Sequence, residues 1–287
     1  MSDTAFQTQY RQEFIVGFEQ HEALLRQTVV MEAVIKGNQA VFEVADSGAA
    51  VAVTRGVNGL IPARSDDLAQ NTAVLSEWHD LVRKTGFNIF ASQGDQRAIM
   101  QMTSRGVLNR KIDNQIVTAL NTGTVAIGVA AQAPTISLME NAKVKLQNAF
   151  VPNDQWITMA AQPSFMAYLE QAPEFSNALW VDVKPFEAKD GNSGDWGWRD
   201  QPVMYRWKGM LVITHPLLPG KGTTSEKSFV YHRNSLGHAV DTDGLTAAVG
   251  NNEEQNYAWA RTSCFMGAVV LQNSGIVTLT ADGSAYA

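Results

Sequence analysis

The sequence predicts an α+β fold with a separate domain inserted into the middle third of the chain, and two observations lead to this prediction. First, a proline-free stretch from about Gly94 to Thr122 repeats apolar residues at helical spacing, with short β-type runs on both sides of it. Second, eight of the nine prolines and five of the seven tryptophans fall between Pro134 and Pro219. The middle third is therefore expected to be loop-rich and built differently from its flanks.

Residues 2–26 are expected to form a long amphipathic helix. Their large apolar side chains recur at helical spacing and keep to one stripe: Phe6, Tyr10, Phe14, Phe18 and Leu25. An apolar stripe needs a surface to cover it, so we expect this helix to pack on its own subunit or on a neighbouring one.

Residues 27–75 are expected to contain a long β-hairpin. Two β-type runs at 39–44 and 50–55 flank the turn signal Asp46-Ser47-Gly48, so we expect these two runs to pair, and Gly56–Pro62 to be irregular. The segment has too few large apolar residues to enclose a core, and a two-stranded hairpin is marginally stable alone in water. The hairpin is therefore expected to lie on something else.

The helix from about Gly94 to Thr122 carries one buried face, predicted to be Leu108, Ile112, Ile116 and Leu120. At ~1.5 Å per residue it would span roughly 42 Å, a length typical of a rod-like element. The other predicted elements are a strand within Thr72–Phe90, a helix opened by a capping box at Ser137–Glu140, a strand at Trp156–Met159, a helix from Pro163, a surface loop at 182–202, strands at Met210–Ile213 and Phe229–Tyr231, and a closing hairpin of Ala268–Leu271 with Ile276–Leu279.

Charge and composition limit the function classes. The chain has 22 basic and 28 acidic residues, a net charge of −6, which argues against a dedicated nucleic-acid binder and against a basic membrane-surface protein. Charged residues make up only 17% of the chain, below the ~25% typical of soluble domains. Composition alone fits either a surface shared with other subunits or a neutral-surfaced monomer.

The only cysteine is Cys264, so an intramolecular disulfide framework is excluded, and its apolar neighbours predict a buried structural thiol. The first residues lack the basic and apolar regions of a signal peptide, and no stretch has the composition of a membrane span. We therefore expect a reducing, aqueous compartment.

Three segments resemble catalytic or metal motifs and fail on inspection. Pro219–Thr224 looks like a phosphate loop, but His215 stands where the first glycine is required. His21-Glu22 begins like a zinc-protease helix, but the second histidine is replaced by Leu25. Asp241–Gly244 begins like a calcium loop and lacks the later acidic ligands. We predict no catalytic residue, metal ligand or cofactor site, although spacing cannot reveal a site assembled from distant residues.

Six segments, taken in their order along the chain, resemble segments of a known family. The first, Arg110–Ile116, has a basic–x–Asp–x–x–Ile pattern. The others are Val151–Met159, Pro163–Leu169, Trp207–Pro219, Gly267–Leu271 and Ile276-Val277. Together with the order of elements, they resemble the major capsid protein of tailed bacteriophages, which has the Hong Kong 97-type capsid fold. The resemblance covers nearly the whole chain, from the N-terminal helix to Leu279.

The resemblance implies an N-terminal arm at 1–26, an extended loop at 27–75 that lies over the adjacent subunit, a peripheral domain at 76–133 and 241–287 with the long helix as its spine, and an inserted axial domain at 134–240. It implies a structural protein that assembles into hexamers and pentamers of an icosahedral or prolate shell around double-stranded DNA. The expected inter-subunit contact residues are Phe6, Tyr10, Phe14, Phe18, Val41, Phe42, Val51, Val53, Arg55, Arg64, Trp196 and Trp198.

Implied partners are further copies of the chain, scaffolding and portal proteins, a decoration protein, and packaged DNA in weak non-specific contact, with assembly in the host bacterial cytoplasm. No long charged extension precedes the arm, so we expect either a separate scaffolding protein or a processed chain. Lys36 is the only lysine of the extended loop and lies near its base, so we predict no covalent cross-link between subunits. The alternatives are a cellular nanocompartment shell of the same fold and an α+β hydrolase with a lidded middle domain.

Overall fold

The computed structural model describes residues 23–34, 37–46, 50–63, 67–91, 96–176, 204–241 and 244–286. Most of the predicted N-terminal helix and the whole of the predicted surface loop at 182–202 lie outside these residues. The described chain begins with a turn that leads into a short 3-10 helix, Arg26–Thr28.

After this 3-10 helix, the described chain starts with four strands, continues with five helices that two single strands interrupt, and ends with seven strands. The helices are α1 (Gly86–Ala91), α2 (Gln96–Leu120), α3 (Ile136–Asn148), α4 (Pro163–Gln171) and α5 (Pro173–Ser176). The strands are β1 (Val30–Val34), β2 (Gln39–Asp46), β3 (Asp67–Val74), β4 (Ser76–Thr85), β5 (Ala126–Gly128), β6 (Ile157–Ala161), β7 (Met204–Trp207), β8 (Met210–Thr214), β9 (Glu226–His232), β10 (Leu236–Asp241), β11 (Thr246–Asn252), β12 (Tyr257–Val270) and β13 (Ile276–Ala281).

The first sheet has the order β1-β10-β12-β11, and β4 also pairs with β12. Helix α2 packs against this sheet. The four residues predicted for its buried face, Leu108, Ile112, Ile116 and Leu120, are all buried in one core with Cys264 and Met266 of β12. The helical periodicity therefore predicted both the element and the face that it buries.

The second sheet has six strands in the order β5-β13-β9-β6-β8-β7, and α3 and α4 pack against it. Neighbouring side chains of β9 enter different cores: Phe229 and Tyr231 belong to the core under α2, whereas Val230 belongs to the second core. This alternation is the period of two that a strand buried on both faces requires. The two cores are therefore joined through one shared strand.

The predicted pairing of 39–44 with 50–55 is wrong. Strand β2 instead pairs antiparallel with β3, from Gln39 opposite Val74 to Asp46 opposite Asp67. The turn signal at 46–48 marks where β2 ends, but the chain continues through 50–63 without a strand before it returns. Alternating valines and alanines have only a weak preference for a strand unless a partner edge is present.

The predicted closing hairpin is also wrong. Strand β12 belongs to the first sheet, whereas β13 lies between β5 and β9 in the second sheet. The short turn Asn273–Gly275 carries the chain from one sheet to the other, and its Asn273 side chain bonds to Thr124. A Gly-containing turn signal reports a change of direction and does not specify which strand pairs next.

The start of α3 differs from the predicted capping box. The cap is Thr135, whose hydroxyl oxygen accepts the Leu138 backbone N–H at 3.3 Å, so Ser137 already lies inside the helix. The expectation for Pro163 is confirmed, because proline stands at the first position of α4, where no backbone N–H is needed.

Candidate inter-subunit contact surfaces

The loop at 50–63 is the most exposed apolar segment of the described chain. Every residue in it is exposed, and five large apolar side chains reach water: Val51, Val53, Val57, Leu60 and Ile61. Its shape comes from a small turn, in which the Gly59 N–H donates to the Gly56 oxygen at 2.8 Å and the Gly56 N–H to the Leu60 oxygen at 3.0 Å. Large apolar side chains that are exposed together in one segment are typical of interaction surfaces.

The hairpin that carries this loop is attached only at its base. Ala40, Phe42 and Ala73 are buried with Ala239 of β10, and the Asn71 side chain donates to the Leu271 oxygen at 3.1 Å. Between 43 and 45 and between 68 and 70 no side chain is buried, so the outer half of the hairpin has no covering surface within the described residues. The expectation that this segment encloses no core of its own is confirmed.

The two neighbouring contact candidates on β2 differ in their exposure to solvent. Val41 is about half exposed at 49%, whereas Phe42 is buried and its ring lies against Gly237, where an added Cβ would come within 2.8 Å of the ring. Phe42 is therefore unavailable as a contact residue and instead holds the hairpin to β10. The period-two alternation of the strand explains why adjacent residues have opposite roles.

Among the other candidates, Val51, Val53 and Arg55 lie in the exposed loop, as expected for contact residues. The remaining ones lie outside the described residues: Phe6, Tyr10, Phe14, Phe18, Arg64, Trp196 and Trp198.

A groove of about 620 Å³ lies between α2 and the end of β12, and we call it the α2–β12 groove. Trp78, Lys111, Thr118 and Val74 line it together with the 267–270 end of β12, and the Lys111 ammonium lies 3.7 Å from the centre of the Trp78 ring. Sequence analysis did not predict this groove. The signal available in the sequence was a polar stripe beside the apolar face of the helix, on which Lys111 and Thr118 lie two turns apart.

A smaller patch at one end of the second sheet centres on Trp156, which is half exposed and stacks with the Arg233 guanidinium at 4.5 Å. Behind it, the Asn234 N–H donates to His232 Nδ1, so His232 Nε2 donates to Asp154 at 3.1 Å. Partial burial opposes ionisation, but the Trp156 N–H and His232 hold the pKa of Asp154 below its ordinary value. Tryptophan and arginine are residue types enriched in interfaces.

The segment that resembles a phosphate loop is filled by the chain's own carboxylate. Glu226 is buried, and its Oε1 accepts the Gly222 N–H at 2.5 Å, while its Oε2 accepts the Ser164 hydroxyl at the start of α4. The backbone N–H that would cradle a phosphate therefore already binds an anion. Glu226 also brings negative charge to the N-terminus of α4, where it is favourable.

The prediction of a buried structural thiol is confirmed for Cys264. Its side chain is almost fully enclosed, and burial, with a further contribution from Asp241, raises the pKa of the thiol to about 11. Within the described ranges, no three His, Cys, Asp or Glu side chains lie close enough to hold a metal ion. None of the described helices is long and apolar enough to cross a membrane.

The structure is similar to solved capsids over nearly its full length. The capsid of Ralstonia phage GP4 matches with a TM-score of 0.70 and 10% identity, covering 98% of this chain and 96% of that one. A structure of Mycobacterium phage Che8 matches with a TM-score of 0.68 and 13% identity, covering 97% and 98%. The SrpI encapsulin complex of Synechococcus elongatus PCC 7942 matches with a TM-score of 0.62 and 13% identity, covering 91% and 88%.

In sequence, no curated protein is significantly similar to the chain. A family model, however, that of the phage capsid protein, matches residues 2–282. Because this match spans almost the whole chain, it overturns the alternative of an α+β hydrolase. The chain belongs to the phage capsid protein family, and it is a structural major capsid protein of the phage virion shell with the Hong Kong 97-type fold.

Proposed function

We propose that copies of this chain form hexamers and pentamers that close into an icosahedral or prolate shell around the double-stranded DNA of a tailed phage. The observation that carries this proposal is the exposed loop at 50–63, which presents five large apolar side chains on a hairpin fastened only at its base. Such a loop gives a monomer no stabilising contact. In a closed shell the same modest contact is repeated many times, and together these contacts stabilise the assembly.

The two sheets support a division into domains. We propose that α2 and the first sheet form the peripheral domain, and that α3, α4 and the second sheet form the axial domain, whose loops meet around each capsomer. Strands β5 and β13 pair within the second sheet and β10 within the first, so the axial unit takes in β5 and β13 in addition to most of 134–240. The hairpin of β2 and β3, with the loop between them, is the extended loop.

We further propose that the loop at 50–63 of one copy covers the α2–β12 groove of its neighbour. The groove offers an apolar wall of Val74 and the 267–270 end of β12, and the loop offers apolar side chains with Arg55 as its one charged residue. Contact between two such surfaces removes apolar area from water on both partners.

The remaining partners follow from the role of a shell protein. With a net charge of −6 per copy, the inner surface is expected to hold DNA without binding it tightly. Portal, scaffolding and decoration proteins are further partners in this proposal, and the host cytoplasm is the place of assembly.

A charge placed in the loop tests the shell proposal. Val57→Asp adds a carboxylate where an apolar contact is expected, and Asn58→Asp adds the same charge to an exposed polar neighbour as the matched control. Electron microscopy should show closed particles for the wild type and for Asn58→Asp, and far fewer for Val57→Asp. Normal particles from Val57→Asp would contradict the role of the loop.

The contents of the shell need a test of their own, because the SrpI encapsulin shares the fold. This test is the nucleic-acid content of purified, nuclease-treated particles. Protected double-stranded DNA supports the proposal, whereas particles filled with protein and free of DNA would contradict it.

A further inference from the structure

Helix α2 buries one carboxylate, and three separate parts of the chain meet at it. Asp113 is fully buried; its Oδ2 accepts the Leu24 backbone N–H at 3.0 Å and its Oδ1 accepts the Leu25 N–H at 3.1 Å. The ring of His215, which follows β8, places Nε2 3.0 Å from Oδ2. Asp113 thus connects the spine helix, the segment that follows residues 1–22, and the end of a strand of the second sheet.

The protons at this site can be assigned from the hydrogen bonds. The Leu217 backbone N–H donates to His215 Nδ1 at 3.3 Å, so Nδ1 is an acceptor and the ring proton is on Nε2. His215 Nε2 therefore donates to Asp113, and the carboxylate accepts three N–H groups. The His215 backbone is itself held, because its N–H donates to the Ala161 oxygen at 2.9 Å.

A second attachment holds the same turn. The Thr28 hydroxyl donates to the Leu25 oxygen at 2.7 Å and lies 2.5 Å from the Tyr231 hydroxyl of β9. We call residues 24–28 the arm root. Helix α2 holds the arm root through Asp113, and the second sheet holds it through Tyr231.

Stability alone does not explain a carboxylate at this position. Burying a charge is costly, and an apolar residue of similar size often stabilises a core as well or better. A carboxylate can also fix the course of the backbone beside it, because its two oxygens accept two successive backbone N–H groups in one geometry. The N–H groups of Leu24, Leu25 and His215 that donate to Asp113 therefore indicate that it positions these segments.

We propose that Asp113 is the anchor that sets where the N-terminal arm leaves the subunit, and that His215 couples this exit point to the end of β8. This inference rests on the proposed shell function and on the expectation from the sequence that the arm at 1–26 contacts a neighbouring copy. A shell requires the arm to leave every subunit in the same direction, so loss of the anchor impairs shell closure more than it impairs folding.

Asp113→Asn tests the anchor with almost no change in shape. The amide keeps one acceptor oxygen, but its NH₂ group faces a second N–H donor, so at least one hydrogen bond to the arm root is lost. We expect hydrogen exchange at the Leu24 and Leu25 amides of the full-length chain to accelerate by about tenfold or more. We also expect the yield of closed particles in electron micrographs to fall.

Two matched variants serve as controls. Asn114→Ala changes the exposed neighbour of Asp113 on α2. His232→Gln removes another His–Asp contact, in which the Asp154 side chain is 41% exposed. Both should keep wild-type exchange at Leu24 and Leu25.

The outcomes are separable. Unchanged exchange in folded Asp113→Asn overturns the anchor, and faster exchange with normal particles overturns its role in assembly. If Asp113→Asn does not fold by circular dichroism, Thr28→Val decides in its place, because it removes the attachment through Tyr231 and leaves Asp113 intact. Exchange at Leu24 and Leu25 should then stay slow, and faster exchange would overturn Asp113 as the anchor. Failure of the wild type to form particles even in the presence of a scaffolding protein refutes the proposed shell function and leaves the exchange result standing.

Discussion

His238 makes the stability of this chain depend on pH, with a sign and size that the structure determines. The residue lies on β10 and is fully buried, and within the described part of the chain neither ring nitrogen has a hydrogen-bond partner. Burial, with a further contribution from the nearby Arg26 charge, lowers the pKa of His238 to about 4, from 6.5 in an accessible ring, although Asp113 acts in the opposite direction. The buried ring is therefore neutral at neutral pH.

A folded-state pKa below the unfolded value means that the unfolded chain binds the proton more readily. The contribution of neutral His238 to the free energy of unfolding is therefore fully present above about pH 6.5. It falls as the pH drops from 6.5 to 4, and below about pH 4 this group causes no further loss. The pKa difference of about 2.5 units corresponds to a loss of roughly 3 kcal/mol per subunit.

His238→Leu removes the titrating ring and keeps an apolar side chain of similar size in the core. Urea unfolding of the full-length chain between pH 4 and pH 7.5 should show a smaller loss of unfolding free energy on acidification, by roughly 3 kcal/mol relative to the wild type. His79→Gln is the control, because the His79 side chain is 43% exposed and can be hydrated in both states. Equal pH slopes for the wild type and His238→Leu would refute this reasoning.

Three further predictions concern single contacts. Phe42→Ala should detach the hairpin base and cost about 3 kcal/mol of local stability, measured as faster hydrogen exchange in β2 and β3; unchanged exchange would show that Phe42 does not hold the hairpin. Cys264 should react with a thiol reagent at pH 8 only as fast as the chain unfolds, because its side chain is almost fully enclosed and burial, which raises the pKa of the thiol to about 11, keeps it protonated; rapid labelling of the native chain would contradict this. Glu226→Gln should lower the free energy of unfolding by about 1–3 kcal/mol in urea titrations; no change would mean that Glu226 does not hold the Gly222 loop.

Elements with strong periodicity could be predicted from the sequence, and so could the family. The buried face of α2, the helix start at Pro163 and the buried thiol of Cys264 depend on local patterns that the fold did not override. The order of these elements was also sufficient to identify a resemblance to the capsid family.

Strand partners could not be predicted, because pairing depends on edges that the rest of the chain provides. Strand β2 pairs with β3, which contains few β-branched residues, and β13 joins the second sheet beside β9. Both errors followed from turn signals, which report reversals without naming the next partner.

The contact surfaces were only partly predictable. Val51, Val53 and Arg55 were expected in the extended loop and are exposed there, but the same reasoning placed Phe42 beside them although it is buried. The α2–β12 groove and the three hydrogen bonds of Asp113 join residues far apart in the chain, and no spacing in the sequence brings them together.

Cryo-electron microscopy of particles assembled from the full-length chain would show whether the loop at 50–63 joins neighbouring copies. We expect a closed shell in which residues 50–63 of one copy cover the α2–β12 groove of the next. Monodisperse monomers under assembly conditions, or a shell in which this loop lies on its own subunit, would contradict it.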